Sequence, residues 1–168
     1  PVTRLPDEGM TPILRCTGIE TSLPRFHESA QSSGFLNAQF DLDGVLRQAP
    51  LILRCGDSLY PSLALALVET AVGRRSMVVG DALGIQNVVV SGTAFPTDEG
   101  GRILINFRRP AFTFPHVSAV DVIEGRLPPD VLAGKIVLVG ATEVGIGDIR
   151  NTPFGRVFPG VEIHANVI

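Results

Sequence analysis

An apolar run feeding straight into a glycine-rich turn constrains this chain most: Lys135-Ile136-Val137-Leu138-Val139-Gly140-Ala141-Thr142-Glu143-Val144-Gly145-Ile146-Gly147-Asp148. β-Branched residues followed by glycine read as a core strand leaving its sheet by a tight turn, an arrangement at home in mixed α/β folds. The same arrangement cradles phosphate in P-loops, through the pattern G-x-x-x-x-G-K-[ST]. Gly140 and Gly145 have that separation, but Ile146 stands in the lysine position and Gly147 in the hydroxyl position. A dinucleotide fingerprint, G-x-G-x-x-G, fails as well. Gly145-Ile146-Gly147 is followed by Asp148-Ile149-Arg150, and an acidic side chain there repels a pyrophosphate. The glycines are therefore read as permitting close backbone approach, with a soluble nucleotide-binding α/β enzyme kept as the alternative.

A chain of 168 residues can bury one sizeable core, and 45% hydrophobic against 18% charged residues place it among globular domains. The net charge of −3 argues against nucleic acid as a partner, since Arg74-Arg75 and Arg108-Arg109 are isolated pairs. Lys135 is the single lysine, which removes Schiff-base chemistry and most lysine phosphate anchors. No apolar run approaches the roughly 18 residues that cross a bilayer. No cofactor is expected. Cys16 and Cys55 are too far apart for a C-x-x-C motif; one disulfide in an oxidising compartment is open to them, but buried free thiols are the expectation.

Along the chain, a proline-rich entry from Pro1 to Pro12 leads to a short helix after Pro24 that Gly34 closes. Phe35 to Phe40 and Val45 to Cys55, split by Asp41-Leu42-Asp43-Gly44, predict a hairpin, with Pro50 breaking its second strand or placing it at an edge. Ser62 caps a helix from Leu63 to Val72, apolar almost all round and stopped by Gly73. Val88 to Val90, Ile103 to Phe107 and Ile136 to Val139 read as strands. Ser118 to Glu124 reads as a helix, Pro128 to Leu132 as one further helical turn, and Gly160 to Ile168 as the start of a helix. The fold class is mixed α/β, a layered sheet with flanking helices in a single domain over residues 1–168.

Catalytic and metal patterns are weak. Asp41-Leu42-Asp43-Gly44 imitates the middle of an EF-hand, but its first ligand position falls on Gln39 and its last on Pro50. His27, His116 and His164 are scattered, and Glu162 and His164, two apart on a helix, point to different faces. No serine sits in a G-x-S-x-G elbow. No catalytic residue and no metal site are assigned.

Four blocks, taken together, carry a resemblance. They are GFLNAQFDLDGVLRQAPLIL (34–53), SLYPSLALAL (58–67), LINFRRP (104–110) and GKIVLVGATEVGIGDIRNTPFGRVFPGVEIHANVI (134–168). In this order they resemble the CHASE type-2 domain, the cyclase/histidine-kinase-associated sensory extracellular family. The resemblance implies a bacterial sensor outside the inner membrane, anchored by flanking membrane helices. Its cytoplasmic output would be an adenylate or guanylate cyclase, or otherwise a histidine or Ser/Thr kinase. It also implies that this chain is the later portion of a longer domain, with the helix from Gly160 running on toward the membrane. Partners would be a small-molecule or environmental ligand of unknown identity and, for a module that mainly holds the receptor in register, a second copy of the chain.

The resemblance brings no catalytic residues. Motif positions explained by structure are Gly44, Tyr60, Pro61, Ser62 as a helix cap, Asn106 tying down a loop, Gly140, Thr152, Pro153, Pro159, Gly160, Glu162, His164 and Asn166. Asp43, Arg47 and Asp148, polar residues on loops, are the expected ligand contacts.

Overall fold

The computed structural model describes residues 13–81, 83–108, 110–142 and 148–168. The proline-rich entry, Arg109 and the loop glycines Gly145 and Gly147 lie outside the described residues. The expected mixed α/β class is found, with its strands divided among four small sheets.

The chain enters through β1 (Arg15–Cys16) and α1 (Pro24–Ser29), a helix that buries none of its residues. Next come β2 (Gln48–Pro50), β3 (Ile52–Cys55), β4 (Ser58–Pro61) and α2 (Leu63–Val72). A meander follows, made of β5 (Met77–Asp81), β6 (Gly84–Val90) and β7 (Thr93–Pro96), and then β8 (Arg102–Leu104). After α3 (Ala119–Ile123) and a 3-10 turn at Pro129–Val131, the described chain ends in the hairpin β9 (Ile149–Thr152) and β10 (Gly155–Pro159) and in α4 (Gly160–Val167).

The reading of α2 holds at both ends. Ser62 Oγ accepts from the Leu65 N–H at 3.3 Å, and Gly73 takes the left-handed conformation, φ 69°, that stops the helix. Pro50 does break its strand: β2 ends there, and the next N–H, of Leu51, turns to the Gly101 carbonyl at 2.9 Å.

Strand pairing departs from the expectation in two places. Asp41 to Gly44 does turn, with Gly44 at φ 74°, but Phe35 to Phe40 does not pair with Val45 to Cys55. Instead β2 lies antiparallel to β8, with Ala49 opposite Ile103, and β3 folds back on β4 across the tight turn at Gly56. The single expected hairpin is thus replaced by hairpins elsewhere, including β6–β7, whose turn residues Ser91 and Gly92 both have positive φ, and β9–β10. Alternating apolar residues specify that a strand forms, not which strand it meets; β8 offers β2 a longer-range partner that the local turn does not.

The second departure is the run Ile136 to Val139, which forms no strand. It runs outside any ladder, with Val139 91% exposed. A β-branched run becomes a strand only against a neighbour, and among the described residues none lies alongside it.

Cys16 and Cys55 form a disulfide, which overturns the expectation of free thiols. The reason is register: β1 runs parallel to β3 with Cys16 directly opposite Cys55, their Cα atoms 5.0 Å apart, within the range a disulfide spans.

Two apolar clusters form the interior. Leu51, Ile52, Leu65, Val78, Ile85 and Val88 belong to the first, while Leu46, Ile105, Phe158 and Ile163 form the second. Val167 of α4 packs against both, so the last helix bridges the two halves of the core.

Candidate functional site

A cleft of about 50 Å³ lies between α4, β2, the β9 end and the segment from Phe35 to Ala38. Each wall has a local cause. Gly34 presses on α2: a Cβ there would stand 2.6 Å from Leu63 N, so only glycine fits. The strap is held by Phe35 N–H donating to the Pro61 carbonyl (3.0 Å) and Leu63 N–H donating to the Phe35 carbonyl (2.9 Å). Opposite, β2 presents Gln48 and Pro50, and α4 presents Ile163, His164 and Val167.

Asp148 stands at the mouth of this cleft and at the start of α4. Its backbone carbonyl accepts from the Gly160 N–H at 2.9 Å, and its carboxylate lies so close to the Gly160 Cα that a Cβ would collide with it. A negative charge at a helix N-terminus is favourable, and Arg150 Nη2 adds an ion pair at 3.1 Å. One turn further along α4, His164 is half-buried in the same cleft. Burial pushes its imidazole below the ordinary histidine value, and the Asp148 carboxylate pulls the other way.

The opposite side of α4 is clamped. Glu162, buried, accepts backbone N–H donors from Phe112 (2.7 Å) and Phe114 (3.4 Å), and His116 Nε2 stands 3.8 Å from it. Asn166 accepts from the Arg108 N–H at 3.0 Å and donates to the Glu162 carbonyl at 2.7 Å. Arg108 and the segment from Phe112 to His116 are therefore pinned to α4 by two side chains.

Asp43 and Arg47 lie together, on the turn before β2 rather than in the cleft. Arg47 donates to both Asp43 oxygens (3.0 and 2.8 Å) and to Asp41 Oδ2 at 2.6 Å. The Arg47 hydrogen bonds and the Val45 N–H hold the Asp43 carboxyl down at about 2, and the two carboxylates raise Arg47 in return. This turn docks on β9: Leu46 N–H donates to the Asn151 carbonyl at 2.8 Å.

The remaining motif positions act through shape and capping. Thr152, buried, holds the β9–β10 turn through Pro153 by donating to the Gly155 carbonyl (3.2 Å) and accepting from the Phe154 N–H (3.3 Å). Pro159 caps α4 and is fully buried. Tyr60 and Pro61 sit in β4 opposite Leu53 and Ile52. Asn106 is exposed just after β8. Gly140 backs onto α4, where a Cβ would come within 2.6 Å of Val161 Cβ.

Sequence reasoning passed over Arg150 and Gln48 as cleft residues, and over Glu69 as an anchor. Glu69, buried within α2, accepts from Ser76 N (2.8 Å), Ser76 Oγ (2.5 Å) and Arg75 Nη1 (3.2 Å). A lone acid inside an otherwise apolar helix was its only signal.

Among the described residues no cluster of three or more metal-ligating side chains occurs, and no helix is long and apolar enough to cross a membrane. The chain belongs to the CHASE2 domain family, whose profile it matches over residues 5–168. CHASE2 domains are extracellular sensory domains of signalling proteins. No curated protein and no solved structure matches the chain.

Proposed function

We propose that this domain is the extracytoplasmic sensor of a bacterial inner-membrane receptor whose cytoplasmic output is an adenylate or guanylate cyclase, with α4 as the element that carries the signal. One observation carries the reading: α4 meets the cleft through His164 and Ile163, reaches both core clusters through Val167, and is clamped through Glu162 and Asn166. A ligand that fits the cleft better in one position of α4 than in another shifts that helix, and unequal affinity for two states is all a sensor requires. Asp148, at the cleft mouth, is the ligand contact. Asp43 and Arg47, satisfied by one another, set the turn beside it.

The exposed run Ile136 to Val139 supports a second part of the reading, that the chain is the later portion of a longer domain whose upstream portion covers this run. The test is the full-length receptor in membrane vesicles, with cyclic nucleotide formation measured across a metabolite library. Stimulation by one chemical class, lost in Asp148→Asn and kept in Arg47→Ala, is expected. A gene with no hydrophobic span after Ile168 would sink the receptor reading, and phosphotransfer in place of cyclic nucleotide would replace the cyclase with a kinase.

A further inference from the structure

His164 is placed to do more than fill a wall. It projects from the second turn of α4 into a cleft whose other linings include Phe35, Leu46 and Pro50, apolar surfaces that solvate an imidazolium poorly. The charged groups that face it among the described residues are Asp148 and Arg150, both at the β9 end. The strap from Phe35 to Ala38, β2 and α2 contribute the uncharged polar groups Asn37, Gln48 and Ser62.

We propose that α4 contains a pH switch: protonation of His164 draws the Asp148 carboxylate away from Arg150 and loosens α4 from the strap between Phe35 and Ala38. Among the described residues Asp148 is the one carboxylate lining the cleft, so it serves Arg150 while His164 is neutral and is contested once His164 is charged. It also sits on the first residue of α4. Moving it therefore disturbs the helix start, and the new charge on His164 favours rotation toward water. Histidine is the side chain whose charge changes in mild acid, and an extracellular domain meets the ambient pH directly.

The direction of the linkage follows from burial. The folded state binds the proton on His164 less readily than the unfolded chain, so stability is complete above about pH 6.5 and falls as the pH drops below it. The consequence for signalling rests on the reading of α4 as the output helix; the switch itself does not.

The test uses this chain in three measurements between pH 7.5 and 5.0: imidazole titration by NMR, amide exchange along α4 corrected for its intrinsic pH dependence, and melting temperature. Expected are a His164 titration below the ordinary histidine value of 6.5, faster exchange across α4 as it titrates, and a downward shift in Tm that His164→Gln lacks. A His164 that titrates at or above pH 6.5, or α4 exchange that ignores its titration, overturns the switch. Both readings come from the unsubstituted chain, so they decide even if His164→Gln does not fold. Should α4 loosen in acid while the full receptor's output stays flat, the switch holds and the relay reading falls instead.

Discussion

Adding one methyl group at Gly140 tests what the glycine after the apolar run is for. In Gly140→Ala the new Cβ would stand 2.6 Å from Val161 Cβ, 2.9 Å from its Cγ2 and 3.3 Å from its Cγ1. A rotamer change can move the two methyls but not Cβ, which is fixed to the α4 backbone. The backbones must therefore separate by about 1 Å to reach ordinary carbon contact. Overpacking of this kind costs about 1–3 kcal/mol. The segment from Ile136 to Thr142 lies outside any ladder and is free to yield, which puts the expectation at the lower end, about 1–2 kcal/mol. For a domain of this size that lowers Tm by roughly 2–8 °C. Thermal and urea unfolding measure it, in a cycle with Val161→Ala and Val161→Gly. Val161→Ala keeps the offending Cβ and relieves Gly140→Ala only in part; Val161→Gly removes it and relieves most of the cost, whatever it costs by itself. A Gly140→Ala chain within about 0.5 kcal/mol of the parent, or one equally destabilised in the Val161→Gly background, would refute close approach as the reason for this glycine.

Three further outcomes are expected. Glu162→Ala leaves the Phe112 and Phe114 N–H groups to water and destabilises by about 2 kcal/mol; Glu162→Gln loses less, and faster amide exchange from Phe112 to His116 identifies the released segment. Reducing the Cys16–Cys55 disulfide, whose cysteines are 39 residues apart, costs about 3–4 kcal/mol by the loop-entropy relation; an unchanged urea midpoint in dithiothreitol would show that the bond constrains nothing. Asp43 stays ionised down to about pH 2 against an ordinary 3.8. Its contribution is present above pH 3.8 and is lost as the pH falls toward 2; NMR titration in Arg47→Ala should move the carboxyl back toward its ordinary value, with the Val45 N–H still holding it below.

What could be read from the sequence divides by distance along the chain. Ser62 and Gly73 bound α2 because a cap and a left-handed stop act within a few residues of the groups they satisfy. Pro50 broke its strand for the same local reason. Pairing is not local: β2 meets β8 some 50 residues on, and nothing in Gln48-Ala49-Pro50 encodes that choice. The disulfide belongs to the same class, since Cys16 and Cys55 become neighbours only once β1 has settled parallel to β3. A local turn at Asp41 to Gly44 was correctly seen and wrongly extended into a hairpin.

The site was legible in the same uneven way. Asp148 was singled out as a loop carboxylate, and it lies at the cleft because β9 delivers it to the start of α4, a long-range event its neighbours do not announce. Glu162 and His164, two apart, were expected on different faces, and that helical geometry decides the arrangement of α4. Glu162 faces the clamp from Phe112 to His116, and His164 faces the cleft with Asp148. A two-residue offset on one short helix thus gives opposite sides to the group that holds it and the group placed to release it. If α4 moves as a unit, the clamp at Glu162 is its pivot: loosening at His164 would swing the helix about Glu162 rather than detach it. Glu162→Ala should therefore turn a graded acid response of α4 exchange into loss of protection at neutral pH.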